Sequence, residues 1–328
     1  MKKIFVLIRD KLGDTVIAFQ ALATYRAAHP DDEITLMVHA HYLPIFAREK
    51  GYRLIPYRSY LQAINWALWQ RVSFQHFDAV LVLRGFGEKV AKLAKMLPAT
   101  QRIHALNRYP EVFENSPAAP DQHSESAQIH IAPAMRGLQV LDATLVCPGK
   151  LYLAGLSHYR KIPETVVICP VSDEIRRTLS PDDVARLIPT IQQRHPGLKL
   201  RILVRNSGES GFVSGEFAGA EVLAFGNIEG LLQQLGQAAA YYGSDTGIYH
   251  IAAAMDLPSV IFFGPSQPYK VILPAQKTEA VRLEALGQTH CDNKACQTPV
   301  CIHRAVANWA GKPAPDTPTP ENCPLNPQ

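Results

Sequence analysis

The sequence predicts an α/β protein of two doubly wound domains facing one another across a central cleft. Three observations predict it. Short apolar runs alternate with segments of helical period, the alternation occurs on both sides of a weak middle stretch, and 328 residues suit two domains of about 150 each. Residues 4–8, 33–38, 79–83, 166–169, 200–204, 239–242 and 260–263 read as strands. Several are apolar without alternation, as strands buried on both faces of a parallel sheet must be. Residues 15–28, 181–194 and 228–237 read as helices, the second opened by Ser180-Pro181-Asp182-Asp183, a hydroxyl cap followed by proline in the first turn. Residues 150–163 hold no strong strand and end in Ile162-Pro163, which places the boundary there: one domain over 1–155, a second over 156–311. The proline-rich stretch that begins at Lys312 is expected to be an extended tail, 312–328.

One further helix is expected after Tyr57. Apolar residues recur at Tyr60, Leu61, Ile64, Leu68 and Val72, with Trp66 and Trp69 beside them and Arg58 and Arg71 at the ends. Its apolar side is expected to pack on its own domain, with contact to lipid or to a substrate as the other reading.

Composition excludes several classes. With 47% hydrophobic and 19% charged residues the chain has ample core. No run approaches the roughly 18 uncharged apolar residues of a spanning helix, and the opening Met1–Arg9 run is interrupted too early for a signal peptide, so a cytoplasmic location is expected. Residues 1–160 carry 19 Lys and Arg against 13 Asp and Glu, whereas 161–328 carry 14 against 16. The basic front half is either ordinary solvated surface or an attraction to an anionic substrate or membrane face. No basic cluster interleaved with stacking aromatics is present, so nucleic acid is not an expected partner. Gly85-Phe86-Gly87 lacks the third glycine of a dinucleotide fingerprint, and neither G-x-S-x-G nor a P-loop occurs.

The most informative run is Tyr241-Tyr242-Gly243-Ser244-Asp245-Thr246-Gly247-Ile248-Tyr249-His250, a polar turn opening into a small-residue helix. The first amides of a helix have no partner within it and carry about half a positive charge, so such an opening holds anions. Asp245 stands where an N-cap is expected, Thr246 and Gly247 would supply amides, and His250 lies one turn in. The run is otherwise a well-capped helix. It leads into an apolar strand and a second polar turn, Gly264-Pro265-Ser266-Gln267-Pro268.

S-D-T-G-x-x-H-x-A-A-A followed by F-G-P-S-x-P resembles the donor-nucleotide signature of the lipopolysaccharide heptosyltransferases of glycosyltransferase family 9. A second hallmark matches at the amino terminus, where Ile4-Phe5-Val6-Leu7-Ile8-Arg9-Asp10-Lys11-Leu12-Gly13-Asp14 is a strand and a loop ending in Gly-Asp. The resemblance spans residues 4 to about 270. It implies the GT-B arrangement of two Rossmann-like domains, an ADP-sugar donor, an anionic lipopolysaccharide-core acceptor, peripheral contact with the inner membrane, and an inverting displacement with no cofactor or metal.

Under that resemblance Asp14 is the catalytic base, at the end of the first strand's loop, with a plain N-cap as its other reading and Asp10 as alternative. Arg177, after Pro170-Val171-Ser172-Asp173-Glu174-Ile175-Arg176, takes the place where the family carries a phosphate-binding lysine. Charge is kept, while the forked geometry differs. A solvated arginine pair is the other reading. Ser244, Asp245, Thr246, Gly247 and His250 complete the donor set, and Arg9, Arg58 and Arg84 are candidates for the acceptor. A non-catalytic nucleotide-sugar-binding or assembly protein of the same fold is the alternative function.

Cys147 and Cys169 read as ordinary buried residues. Cys291, Cys296, Cys301 and Cys323 cluster near His290 and His303; four such ligands could hold zinc or iron, the alternative to no metal, although their spacing is not that of the usual close metal-binding pairs.

Overall fold

The computed structural model describes residues 1–73, 75–85, 87–118, 129–286, 296, 299–313, 323 and 325. Two compact units, Met1–Leu156 and Ser157–Gln328, are each built on a sheet of their own.

The first unit runs β1 (Lys3–Ile8), α1 (Leu12–Ala28), β2 (Glu33–His39), α2 (Leu43–Phe46), β3 (Tyr52–Tyr57), α3 (Tyr60–Val72), β4 (Phe77–Arg84), α4 (Glu88–Met96), β5 (Ala99–His104) and α5 (Ala132–Gln139). All five strands are parallel, in the order β3-β2-β1-β4-β5. The chain winds outward from β1 on one side, then returns and winds outward from β4 on the other. The carboxyl ends of β1 and β4 therefore flank the switch point, where open sheets of this kind leave a crevice. Ile4–Ile8 are almost wholly buried, which explains their unbroken apolar run. Phe5 and Leu7 face α3 and α4 in one core with Val80, Val82, Ala67, Val90 and Leu93. Alternation turns Ile4, Val6 and Ile8 to the opposite face, which α1 and α5 cover.

The second unit runs β6 (Thr165–Cys169), α6 (Pro181–Arg194), β7 (Lys199–Val204), β8 (Gly215–Phe217), β9 (Ala220–Ala224), α7 (Ile228–Gly236), β10 (Ala238–Ser244), α8 (Gly247–Ala254), β11 (Ser259–Phe262), α9 (Pro268–Val271), β12 (Thr278–Val281) and α10 (Val300–Trp309). Its order is β12-β11-β10-β6-β7-β9-β8, parallel except for β8 against β9. Here the switch point lies between β6 and β10. Helix α6 begins at a reciprocal capping box: Asp183 N donates to Ser180 Oγ at 3.2 Å and Ser180 N donates to Asp183 Oδ2 at 2.8 Å. His303 Nδ1 on α10 meets the same Asp183 oxygen at 2.5 Å, tying the two helices together.

Every strand read from the sequence is formed, within two residues at each end. The sequence reading does not contain β3, β5, β8, β9 and β12. Apart from β9, these carry exposed or half-exposed positions along most of their length and lie toward the sheet margins, so no solid apolar run marks them; Pro56 is tolerated in β3 because that strand is an edge. Two expectations are corrected. Helix α1 starts at Leu12, so Gly13 and Asp14 belong to its first turn rather than to the preceding loop. Helix α3 turns Ala63, Ala67 and Gln70 inward and leaves Leu61, Leu68 and Trp69 exposed, because small residues let it lie close to the sheet while Trp66 stacks on Phe5 at 5.2 Å. The proline-rich tail lies outside the described residues from 314 to 320.

Candidate functional site

At the first switch point, Arg9 N donates to Arg84 O at 3.0 Å and ties the ends of β1 and β4 together. Gly85 follows with φ +121°, and a Cβ there would sit 2.6 Å from the Arg9 carbonyl oxygen, so only glycine lets the two strand ends approach. Arg84, the last residue of β4, is buried; its Nη2 donates to the His130 carbonyl at 2.7 Å and lies 3.2 Å from Asp14 Oδ1. Arg84 Nε is buried without a hydrogen-bond partner among the described residues. The Asp14 side chain is 30% exposed and that of Arg84 11%. One edge of the carboxylate is thus fixed on a guanidinium and the helix amino end favours its charge, while the other edge is open.

Asp10 accepts from the Lys11 amide at 2.8 Å, and burial, followed by the nearby Asp14 charge, raises its carboxyl above the usual range. Arg9 and Arg58 are exposed, Arg9 just beyond β1 and Arg58 between β3 and α3. Arg84 differs from both, since its guanidinium is already engaged. The sequence reading missed His39 and His41 at the end of β2. The His39 ring stands edge-on to Tyr57 at 5.4 Å, and burial, then His41 and Arg9, lower its pKa. Polar residues immediately beyond a solid apolar run were the available signal.

At the second switch point, the segment after β6 closes on itself through Leu179 N donating to Pro170 O at 2.8 Å. This carries Arg177 toward the end of β10, where its Nη1 lies 3.1 Å from Asp245 Oδ2. Arg177 is 28% exposed and Asp245 5%. Arg177 is therefore not one of a solvated pair; Glu174 binds Arg176 at 2.9 Å and stands 3.6 Å from Arg177. The expected N-cap is also corrected. Thr246, with φ −136° and ψ 167°, is the N-cap of α8, and no side chain caps that helix; Asp245 lies one residue too early and its carboxylate turns to Arg177. The helix begins at Gly247, whose amide stays without a side-chain cap.

Ser244 and Ser266 are buried at 0% and 6% exposure, and their hydroxyls have no hydrogen-bond partner among the described residues. A buried hydroxyl left so costs about 1–3 kcal/mol, a cost that a ligand oxygen or amine removes. A Cβ on Gly264 would come 2.8 Å from the Arg176 carbonyl oxygen, so the second polar turn packs directly on the arginine segment. His250 is 4% exposed, in the first turn of α8, with its ring 5.2 Å from that of Tyr249. At one sheet edge the second unit thus gathers a partly exposed guanidinium, an uncapped helix start and two unpaired hydroxyls, a set suited to an anion.

The cysteines divide differently from expectation. Cys169 is buried and its thiol is pushed up to about 12 by burial, but Cys147 is exposed, in the connection before residue 150. Cys291 and His290 lie outside the described residues. Cys296, Cys301 and Cys323 are half-buried, and among the described residues no group of three His, Cys, Asp or Glu side chains is placed to hold a metal.

Residues 202–301 match the family model of glycosyltransferase family 9 (heptosyltransferase). The matched span holds Ser244–His250 and the second polar turn, while Asp14, Arg84 and Arg177 lie outside it. No curated protein matches the sequence. In fold, the chain is similar to the E. coli heptosyltransferase WaaC with ADP, at 15% identity and TM-score 0.67 over 94% of this chain and 99% of that one. It is similar as well to E. coli ADP-heptose lps heptosyltransferase II, at 18% identity and TM-score 0.66 over 94% and 98%. A glycosyl transferase family 9 structure from Veillonella parvula DSM 2008 aligns at 15% identity and TM-score 0.65 over 85% and 86%. With its two Rossmann-like sheets the chain thus shares the fold of these GT-B heptosyltransferase structures. No helix among the described residues is long and apolar enough to cross a membrane.

Proposed function

We propose that this glycosyltransferase moves a heptose from ADP-heptose to an anionic lipopolysaccharide-core acceptor, with inversion at the anomeric carbon. One observation carries the assignment of roles: each switch point holds an Arg–Asp pair, and in each pair a different partner faces outward. Asp14 offers an open carboxylate edge, fit to take the proton of an acceptor hydroxyl. The freed oxygen attacks the anomeric carbon as the bond to the donor phosphate breaks, and its electron pair leaves with ADP. Arg177, the Gly247 amide and the Ser244 hydroxyl receive that diphosphate, and His250 lines the same turn. Arg84 orients Asp14 rather than binding acceptor, while Arg9 and Arg58 are the exposed cations that would meet acceptor phosphates. The family match over the Ser244–His250 turn, and the ADP in the E. coli WaaC structure of the same fold, support the donor.

A donor panel of ADP-heptose, UDP-sugars and NAD, combined with Asp14→Asn, tests the reading. ADP-heptose alone should be consumed, and the Asp14→Asn variant should bind ADP as the parent does while transfer falls by about 100-fold or more. Transfer undiminished in that variant removes the base, and binding of ADP without any transfer by the parent leaves a nucleotide-sugar-binding protein.

A further inference from the structure

Helices α3 and α4 lie side by side on one face of the first sheet, sharing the core built around Phe5, Val80 and Val82. Their outward sides therefore look the same way. On α3 that side shows Leu61 at 66%, Leu68 at 45% and Trp69 at 66% exposure, at i, i+7 and i+8, on one stripe opposite Ala63, Ala67 and Gln70. Single exposed apolar residues are ordinary; a stripe of three large ones including tryptophan is not. The surroundings have one sign. Arg58 and Arg71 flank the stripe, and α4 exposes Lys89, Lys92 and Lys95, with Lys89 5.5 Å above the Tyr60 ring. Helix α3 has no acidic residue, and Glu88, 3.5 Å from Lys92, is the acidic residue of α4.

We infer that the outward face of α3 and α4 docks on an anionic lipid surface, with Leu61, Leu68 and Trp69 entering the headgroup boundary and Lys89, Lys92 and Lys95 meeting lipid phosphates. Charge decides the occupant. A second copy related by a twofold axis would bring these cations against their own kind. A bilayer of anionic lipid supplies negative charge over the whole patch and an apolar layer for the stripe. This inference rests on the exposure and charge of the first unit and not on the sugar-transfer reading, and the measurement below needs no turnover.

Flotation of the full chain with phosphatidylethanolamine–phosphatidylglycerol vesicles, against phosphatidylcholine vesicles, tests it. The parent should float with the anionic vesicles, lose most of that binding in high salt, and bind phosphatidylcholine weakly. Leu61→Ser with Trp69→Ser, and separately Lys92→Glu with Lys95→Glu, should each lower partitioning by about tenfold while the melting temperature and ADP affinity stay those of the parent. A parent that remains unbound, or a folded serine variant that floats as well as the parent, overturns the inference. So does a parent that is dimeric and becomes monomeric on the serine substitutions, which would assign the stripe to a second copy.

Discussion

The two switch points are built from the same two residue types in opposite order. In the first unit the aspartate follows the first strand and the arginine ends the returning strand; in the second the arginine follows the first strand and the aspartate comes directly after the returning one. Exposure is exchanged with them. The first unit buries its arginine and leaves the Asp14 carboxylate 30% exposed, whereas the second buries Asp245 to 5% and leaves Arg177 28% exposed. In each pair the buried partner fixes the geometry and the outer one is free to meet a ligand. Under the proposed function, the outward carboxylate is the group that takes a proton and the outward guanidinium the one that receives negative charge. On that reading the same pairing serves opposite chemistry, and burial decides which.

The largest test is to silence the outer member of the first pair. Asp14→Asn should cut transfer by about two to four orders of magnitude and leave ADP affinity intact, measured by product formation and calorimetry. Next is the outer member of the second pair. Arg177→Ala should reduce kcat by about 100-fold, and it should also destabilise the second unit by about 3 kcal/mol because Asp245 is left buried and unpaired. Adding Asp245→Asn should restore the melting temperature without restoring turnover; recovery of both would make the pair structural alone. The inner member comes third. Arg84→Met should lower kcat by about tenfold with KM for the donor unchanged, and Arg84→Lys should recover part of it; unaltered kcat would show that Asp14 needs no support.

The smallest effect concerns acid. His104 Nε2 donates to the Gly85 carbonyl at 3.2 Å and Nδ1 accepts from the Leu106 amide at 3.1 Å, so the neutral ring is satisfied on both sides. Burial pushes its pKa down to about 4. Between the ordinary value near 6.5 and that one, the unfolded chain binds the extra proton and the folded chain does not, so stability falls as pH drops through this window, by about 2 kcal/mol at pH 5. His104→Gln should flatten the fall, read as protection of the Leu106 amide against hydrogen exchange at pH 7 and pH 5. An equal fall in the variant would place the acid sensitivity elsewhere.

The central strands were legible because both their faces are buried, which forces an apolar run that no neighbour can disguise. Marginal strands such as Tyr52–Tyr57 and Ala99–His104 carry mixed residues and escape notice for the same reason. The polar turn at Ser244–Gly247 was legible in its residue types, while the one-residue displacement of its cap from Asp245 to Thr246 was not. Local sequence offers either residue as cap; the nearby Arg177 guanidinium selects between them by taking the Asp245 carboxylate.

By itself the sequence determined the α/β class, the alternation of strand and helix in both halves and the polar helix opening over Ser244–His250, since strand periodicity and helix openings are local properties. Tertiary structure alone decided that Arg84 stands behind Asp14 and Asp245 behind Arg177, and that Leu61 and Trp69 face outward. Those facts depend on which strand ends the winding order makes neighbours and on which helix side finds room against the sheet, and neither is written in any short stretch of chain.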